Sequence, residues 1–297
     1  MGKKPSGIDI MGNIAILKFP RESKANEKKK IAEKILRQYK SVRTVLEKTS
    51  RFKGRLRKQK TRWILGVKTK EALYRENGCI FRFNVDSTYF SPRLSSERAE
   101  ISGKIKRNEN VLVMFSGINP YGIVIARNSP AGKVTSIEIN REAGRYAKLN
   151  SKLNKVEDKV QVIQGGVKRL AAYSHSQIGK NYVDKKTNQM VNIKNQRNRR
   201  VLASRLNLQE IPKKYDVIVM PRPQLKESFL KEAFFLSKKG TRIFYYDFAK
   251  DDEIDSVRER ILDEAKKSKK KIKILNFKKA GEIAPYKFRV RVDLKIL

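Results

Sequence analysis

The stretch that decides the fold is Val111–Asn140, VLVMFSGINPYGIVIARNSPAGKVTSIEIN. Its first residues form an apolar run without alternation, which is typical of a parallel strand buried on both faces. A turn containing Gly117 follows, and Pro120 suits the first turn of a helix because its fixed φ is already helical. Val134–Ile139 has the composition of a second strand. The stretch therefore predicts a strand-helix-strand unit of a doubly wound sheet.

Two classes of cofactor fit such a unit. A dinucleotide-binding turn has the pattern G-x-G-x-x-G, but Asn119 stands where the middle glycine would let the backbone approach a pyrophosphate. S-adenosylmethionine carries no phosphate, and its methionine part needs only exposed backbone N–H groups beside the turn. Glu138, near the carboxyl end of the second strand, is placed to accept hydrogen bonds from a ribose. We therefore favour S-adenosylmethionine, with a Rossmann-like unit that binds no cofactor as the simplest alternative.

Later elements extend this unit into a sheet. Apolar strands are predicted at Val160–Gln164, Asp216–Met220, Arg242–Phe248, Ile272–Phe277 and Phe288–Leu297. Helices are predicted at Val167–Tyr173, Leu225–Lys238 and Asp252–Lys267. The last two strands follow each other without a helix between them. This succession resembles the α/β fold of class I methyltransferases, a seven-stranded Rossmann-like sheet whose last strand enters antiparallel.

The residues before this sheet predict a second, smaller domain. We divide the chain into an α+β domain at 1–95 and the methyltransferase domain at 96–297. The smaller domain is predicted to contain two strands within Ile8–Lys18, a helix Ser23–Tyr39 with Ser23 as its N-cap, and strands Val42–Leu46, Arg62–Leu65 and Ile80–Val85. Between the first two of these three strands lies a basic loop, Arg51–Lys60, RFKGRLRKQK. A solvated turn would explain this loop, but its excess of cations also suits a nucleic acid.

Composition narrows the partners. Lysine and arginine number 70 against 30 aspartates and glutamates, a formal net charge of +40. So large an imbalance favours a polyanion, with strongly salt-dependent binding. Cys79 and His175 are the single residues of their kinds, so we expect no disulfide and no metal site. No apolar run has the length of a membrane helix and no signal peptide is recognisable, so we expect a cytoplasmic protein that does not contact membranes.

Chemistry-bearing residues also precede the first strand of the sheet, in Tyr89–Ile101, YFSPRLSSERAEI. Ser95 or Ser96 could cap a helix here. Tyr89, Arg93 and Glu97 are spaced four apart, so any helical part of the segment would present them on one side. With the adjacent Arg98, they could form a site for a planar base.

The motif set resembles a known family. The stretch 76–98, ENGCIFRFNVDSTYFSPRLSSER, is followed by the glycine turn, by MPRP at 220–223 and by YYDF at 245–248. Together they resemble the archaeal and eukaryal tRNA guanine-37 N1-methyltransferases, nearest to the archaeal wyosine branch, whose members also methylate 4-demethylwyosine at C7. The resemblance extends from about Ile8 to the end of the sequence. The family's separate N-terminal domain, which helps to grip the outer corner of the tRNA, is expected to be absent.

The resemblance implies roles for individual residues. Glu97 matches the family's proposed general base, and Arg98 is its neighbour at the target base. Arg57 matches an upstream catalytic arginine, with Arg55 as the alternative. The expected cofactor-binding residues are Tyr89, Arg93, Phe115, Gly117, Glu138, Asn140, Gly165 and Pro221.

Three positions depart from the family pattern. Val113 replaces an acidic residue of the first strand, and Gly166 stands where an aspartate is usual. Both changes predict a modest affinity for the cofactor. Where guanine-37 enzymes carry Asn-Leu-Pro, this chain has Pro221-Arg222-Pro223. Proline there is typical of the wyosine branch, and it removes an amide that could hold the guanine edge.

The last feature is a basic insert, Tyr173–Leu208, between the third and fourth strands of the sheet. Its cations include Lys185, Lys186, Lys194, Arg197, Arg199 and Arg200, and its only acid is Asp184. A segment of this length without periodicity is either functional or disordered. We expect it to contact tRNA phosphates outside the anticodon loop and to take no part in the chemistry.

The sequence therefore predicts a monomeric, S-adenosylmethionine-dependent methyltransferase that acts on purine 37 in the anticodon loop of phenylalanine tRNA. Two alternatives remain open. A ribosomal RNA methyltransferase is one, because the fold does not specify the RNA. A non-catalytic RNA-binding protein with a degenerate cofactor pocket is the other, because of Val113 and Gly166.

Overall fold

The structure is a computed structural model that describes residues 5–177, 182–184, 189–191, 211–221 and 227–297. It opens on a four-stranded sheet of β1 (Ile8–Met11), β2 (Ile14–Leu17), β3 (Thr44–Lys48) and β4 (Thr61–Gly66), with helix α1 (Ala25–Gln38) between β2 and β3. The predicted strands and helix are all present. The predicted cap is wrong: Lys24 is the N-cap residue, and its N–H donates to the Glu27 carboxylate at 3.1 Å.

A hairpin follows, formed by β5 (Glu71–Glu76) and β6 (Cys79–Asn84). Strand β5 was not predicted, because polar residues dominate it. The intervening Asn77–Gly78 adopts positive φ at both residues, as a two-residue hairpin turn requires. That dipeptide was the local signal for the missing strand.

The remaining described strands are β7 (Asn110–Met114), β8 (Lys133–Glu138), β9 (Val160–Gln164), β10 (Tyr182–Asp184), β11 (Gln189–Val191), β12 (Tyr215–Met220), β13 (Ser237–Lys250), β14 (Ile272–Ala284) and β15 (Lys287–Ile296). Seven of them form one sheet in the order β14-β15-β13-β12-β7-β8-β9. Strand β15 runs antiparallel to both of its neighbours, and the other pairings are parallel. The predicted sheet is confirmed.

The helices of this part are α2 (Ser95–Gly103), α3 (Pro120–Asn128), α4 (Arg141–Leu153), α5 (Val167–Gln177), α6 (Leu230–Leu236) and α7 (Ile254–Lys267). They cover both faces of the sheet. Val111, Val113 and Tyr246 belong to the core on one face, where α3 and β6 also pack. Leu112 and Tyr245 belong to the core on the opposite face, with residues of α5, α6 and α7.

Several predicted boundaries are wrong. The helix expected at Leu225–Lys238 is described only as Leu230–Leu236, and residues 225 and 226 lie outside the described residues. Its end is fixed where the Ser237 hydroxyl donates to the Phe234 carbonyl at 2.7 Å, and β13 begins there. The helix expected at Val167–Tyr173 continues to Gln177.

The basic insert is described only in part. It contains the two-stranded hairpin of β10 and β11, which was not predicted, and Asp184 ends β10. Its predicted contact residues, the six cations named above, lie outside the described residues, as do Arg222 and Pro223.

Two asparagines at the end of α4 join the hairpin of β5 and β6 to the large sheet. The Asn154 side chain accepts from the N–H of Ile80 at 2.8 Å and donates to its carbonyl at 2.6 Å. Asn150 does the same with Arg82, at 2.8 and 3.1 Å. These side chains pair with the backbone N–H and carbonyl groups along the outer edge of β6, as a neighbouring strand would.

The division at residue 95 stays a prediction. Among the described helices, none is both long and apolar enough to cross a membrane.

Candidate active site

The turn after β7 is built from left-handed residues. Phe115 and Gly117 have φ of 54° and 59°, and Asn119, the N-cap residue of α3, has φ of 66°. The chain reverses here because Pro120 begins the helix and cannot continue the strand ladder. Gly122 lets α3 lie against this turn, since a Cβ there would be 2.2 Å from the Asn119 side-chain oxygen. The turn therefore exposes backbone at the carboxyl edge of the sheet.

Glu138 ends β8 beside this turn. Its carboxylate accepts the N–H of Gly117 at 2.8 Å and the N–H of Asn140 at 2.6 Å. The residue is buried. Two backbone donors thus fix the orientation of the carboxylate, while each of its oxygens can accept further hydrogen bonds. Gly165, after β9, adds a bond from its N–H to the Glu138 carbonyl at 2.8 Å.

A cleft opens beside Ile137 and Ile139, the two chain neighbours of Glu138. Its lining residues are Arg55, Phe115, Ile137, Ile139, Gly165, Gly166, Val167 and Phe229. The lining is mostly apolar, as it is in most small-molecule sites. Glycine at position 166 leaves the cleft wall bare, because a Cβ there would meet only an Ile139 methyl group, at 3.9 Å. The apolar lining therefore suits the face of an adenine ring.

Asn140 and Pro221, two further predicted cofactor residues, also lie at this edge outside the lining of the cleft. Asn140 caps α4 by accepting the N–H of Glu142 at 3.1 Å, and its amide donates to the Ser87 carbonyl at 2.8 Å. It therefore ties the turn after β6 to the sheet. Pro221 directly follows β12 and is partly exposed.

The basic loop reaches the same edge. The Arg57 guanidinium carbon lies 3.7 Å from the centroid of the Tyr89 ring, and the Phe52 ring meets that ring edge-on at 5.0 Å. A Cβ built on Gly117 would lie 3.5 Å from the Tyr89 carbonyl oxygen. The structure therefore brings a stacked arginine–tyrosine pair next to the glycine turn, and Arg55 into the cleft itself.

The predicted common face of Tyr89, Arg93 and Glu97 does not form. Helix α2 begins at Ser95, after a 3-10 turn, and Leu94 is its N-cap residue, so neither Ser95 nor Ser96 caps it. Arg93 lies at the surface, 74% exposed, and pairs with Asp9 at 3.2 Å. The spacing rule fails because only the third of these residues is in the α-helix.

Glu97 is buried and occupies the centre of a charged cluster. Its carboxylate accepts from the Tyr246 hydroxyl at 2.8 Å, from Arg291 at 2.7 Å and from Lys278 at 2.6 Å. Arg291 also binds Glu100 at 2.6 Å. We call Glu97, Glu100, Tyr246, Lys278 and Arg291 the charge cluster; Glu100 and Lys278 are its partly exposed members. It joins α2 to β13, β14 and β15.

This cluster keeps its carboxylates ionised. Burial alone would raise the pKa of Glu97, but the hydrogen bonds from Lys278 and Tyr246 and the charge of Arg291 hold the pKa below its ordinary value. The Arg291 hydrogen bond lowers the pKa of Glu100 to about 2, against an opposing effect of burial. Glu97 can therefore accept a proton at neutral pH only as one of its donors moves away.

Two tyrosines connect the cluster to the glycine turn. The hydroxyls of Tyr246 and Tyr121, the latter in the first turn of α3, lie 3.3 Å apart. Burial, together with the charges and hydrogen bonds of Tyr121 and Glu97, raises the pKa of Tyr246 far above its ordinary value. Both tyrosines are neutral donors at physiological pH.

Arg98 is fully committed to another carboxylate. Its guanidinium binds both oxygens of Glu76, one at 2.6 Å, and donates to the Ser91 carbonyl at 3.1 Å. Both side chains are buried. This bidentate pair fixes α2 to β5, so the structure places Arg98 behind Glu97 as a support.

Sequence reasoning missed Phe229 in the cleft and Tyr246, Lys278 and Arg291 around Glu97. A signal existed for Arg291, because charged residues alternate with apolar ones along the whole of β15, KFRVRVDLKI. Charges on one face of an interior strand indicate a buried polar network. Val113, in place of the family's acid, is fully buried in the apolar core.

Comparison with known proteins places this site in a family. Residues 72–193 match the TRM5/TYW2 methyltransferase domain, and residues 1–69 match the TYW2 N-terminal domain. A tRNA (guanine(37)-N(1))/4-demethylwyosine(37)-methyltransferase, Taw22 of Nanoarchaeum equitans, is 34% identical over 97% of this chain and 99% of its own length.

Solved structures agree. Trm5b of Pyrococcus abyssi superposes with a TM-score of 0.75 at 29% identity, over 98% of this chain and 75% of that one. An aTrm5 crystallised with leucine tRNA superposes with a TM-score of 0.75 at 25% identity, over 99% and 73%. The predicted fold class and the predicted family are both confirmed. This chain belongs to the TRM5/TYW2 family of S-adenosylmethionine-dependent tRNA methyltransferases.

Proposed function

We propose that this enzyme methylates the purine at position 37 of tRNA, at N1 of guanosine and at C7 of 4-demethylwyosine. The observation that carries the proposal is the Arg57–Tyr89 stack beside the Gly117 turn. It supports a base held flat next to a methyl donor. The name of the Nanoarchaeum relative, which is similar over nearly its whole length, gives both reactions and favours tRNA over ribosomal RNA. Pro221 supports the second reaction, since proline there is typical of the wyosine branch.

The cofactor residues are proposed to act mainly through backbone. S-adenosylmethionine, when bound, supplies a methyl group on a sulfonium. Glu138 would accept hydrogen bonds from the ribose, and the apolar wall of Phe115 would cover the adenine. Gly117 and Gly165 would let the ligand approach the chain closely. Asn140 would act indirectly, by holding the small domain on the sheet, and Pro221 would border the target base.

Glu97 is proposed to receive the proton of guanine N1. Methyl transfer to N1 requires removal of that proton, and a carboxylate within hydrogen-bond reach suits the task. Lys278 is more exposed than Arg291, and it is therefore the charged donor to Glu97 that can leave more easily. Arg98 would hold α2 in place through Glu76. Methylation at C7 of 4-demethylwyosine could use the same cleft and stack.

The tRNA contacts are proposed to come from the small domain and the insert. A base flipped out of the anticodon loop could stack on Tyr89, because unstacked loop bases are read on aromatic and guanidinium planes. Arg57 would have to move away from Tyr89 first, because its guanidinium carbon lies 3.7 Å from the ring centroid and leaves no room for a base between them. Arg93 could reach the RNA after leaving Asp9. We propose that the protein acts as a monomer in the cytoplasm, and light scattering with and without tRNA would test the monomeric state.

One experiment tests the function. Three phenylalanine tRNAs, otherwise unmodified, carry guanosine, adenosine or 4-demethylwyosine at position 37. Each is incubated with enzyme and S-adenosylmethionine, and the methylated nucleotide is mapped by mass spectrometry. We expect 1-methylguanosine on the first, no product on the second, and C7 methylation on the third. A product at another nucleotide would contradict the proposal. Absence of any product, despite a melting-temperature shift with S-adenosylmethionine, would contradict it as well.

A further inference from the structure

Three arginines of the described chain are buried, and one of them differs from the others. Arg98 and Arg291 are 1% and 0% exposed, and carboxylates bind both. Arg289 is 7% exposed, and its Nε–H donates to no atom of the described residues. Its guanidinium carbon lies 5.5 Å from the Phe248 ring centroid. A buried cation is costly unless it is paired. Arg289 therefore has the properties of a residue whose hydrogen-bond acceptor is supplied by a bound molecule.

Its position in β15 places Arg289 at the carboxyl edge of the sheet, where ligands bind in doubly wound folds. Side chains alternate along a strand, so Arg289, Arg291 and Asp293 share one face. The valines between them face the opposite core. Arg289 pairs with Phe248, whereas the parallel ladder of β12 and β13 ends at Tyr245. Arg289 thus stands beyond the end of that ladder, about 7 Å from Arg291 along the strand.

The first turn of α3 faces the same space. Burial raises the pKa of Tyr121, and the positive charges of Arg98 and Arg289 oppose this rise. Tyr121 in turn contacts Tyr246, which binds Glu97. The charge of Arg289 therefore acts on the pair of tyrosines that leads to Glu97.

We infer that Arg289 binds the target nucleotide, donating from its guanidinium to a negatively charged or carbonyl oxygen of that nucleotide. The inference rests on the proposed function, and it assigns the role that the bound Arg98 cannot fill. A guanidinium beside the base oxygen would stabilise the charge that builds as N1 loses its proton. One beside the phosphate would hold the flipped nucleotide. Both are oxygen acceptors of the same nucleotide, and experiment can separate them.

The first test compares Arg289→Met with a matched surface variant, Arg258→Met, on α7. Because the Nε–H of Arg289 has no partner among the described residues, Arg289→Met should keep or raise Tm and leave S-adenosylmethionine affinity unchanged. It should lower kcat/KM for the guanosine-37 transcript by about 10-fold or more, the scale of a hydrogen bond to a charged group. Arg289→Lys should recover part of that activity. Arg258→Met should stay within about twofold of wild type, the size of a rim-charge effect.

Two outcomes would overturn the inference. Wild-type kcat/KM in Arg289→Met would show that the residue does not bind substrate, and a lowered Tm with activity restored by cooling would show a structural role. Anisotropy of a labelled anticodon stem-loop gives a readout besides activity, and it should show weaker binding in Arg289→Met alone. If wild type itself transfers no methyl group to nucleotide 37, the proposed function fails instead.

A transcript with a methylphosphonate beside nucleotide 37 separates the two acceptors. If Arg289 binds that phosphate, the substitution should slow the wild type and leave Arg289→Met unchanged. Equal slowing of both enzymes would assign the base oxygen as the acceptor.

Discussion

The two halves of the sheet's carboxyl edge hold their carboxylates in different ways. At β7 and β8, Glu138 is bound by two backbone N–H groups, from Gly117 and Asn140. At β13, β14 and β15, Glu97 is bound by side chains that belong to three strands. Backbone donors are fixed by the chain path, whereas a lysine can change its partner. The first arrangement suits a permanent cofactor site, and the second suits a group that must exchange a proton.

The largest effect should come from a substitution in the half of the edge that contains Glu97. Glu97→Gln should lower N1 methyl transfer by roughly 10²-fold or more, the usual contribution of a general base, with S-adenosylmethionine affinity unchanged. Glu100→Gln is the matched control. Glu100 binds the same Lys278 and Arg291 side chains as Glu97, whereas the Tyr246 hydroxyl donates to Glu97. Single-turnover rates would measure both. Near-normal transfer by Glu97→Gln at saturating tRNA would remove the base assignment.

A smaller effect, on cofactor binding and not on methyl transfer, is expected in the cofactor half, which contains Glu138. Glu138→Ala should weaken S-adenosylmethionine binding by about 1.5–3 kcal/mol, the scale of a hydrogen bond to a charged group. Affinity for the tRNA should hardly change. Calorimetry would measure the cofactor, with Glu142→Ala on the outer side of α4 as control. Equal affinities in the two variants would mean that the cofactor is held elsewhere.

Low pH should lower the stability of the half that contains Glu97 and Glu100, and this effect should be smaller than those of the two substitutions above. The pKa of Glu97 and that of Glu100 are lowered in the folded protein, so both carboxylates bind fewer protons folded than unfolded. Their stabilisation is present above the ordinary value of 4.5 and disappears as pH falls towards about 2, the folded value for Glu100. Tm should therefore decrease across that window. Glu100→Gln should flatten the decrease, and an unchanged slope would contradict the importance of the cluster for stability.

The smallest expected change per residue concerns the basic insert, which belongs to neither half. Replacing Lys194, Arg197, Arg199 and Arg200 by alanine should reduce the salt slope of tRNA binding by about 0.7–0.9 log units for each phosphate that the variant no longer neutralises. Turnover at saturating tRNA should stay close to wild type. Titrations at several salt concentrations would measure the slope, and an unchanged slope would mean that other residues bind the tRNA phosphates.

The cofactor half was largely readable from sequence. The apolar run before Gly117 and the acid after the next run are local signals, and parallel strands bring their carboxyl ends together. The strand β5 and the ends of α5 and α6 were not readable, because polar hairpins and helix ends depend on contacts outside their own segment. The role of Asn150 and Asn154 as partners of β6 likewise has no local pattern.

By itself, the sequence determined the sheet, the glycine turn and the basic character of the protein. These depend on periodicity, composition and backbone preferences that act over a few residues. Only the tertiary structure decided that Glu97 meets Tyr246 and Arg291, which stand 149 and 194 residues further along the chain. It also decided that Arg98 is bound by a carboxylate, while the Nε–H of Arg289 meets no acceptor among the described residues. The reason is physical: the state of a buried charge depends on which strands are neighbours and in what register, and no local pattern records that.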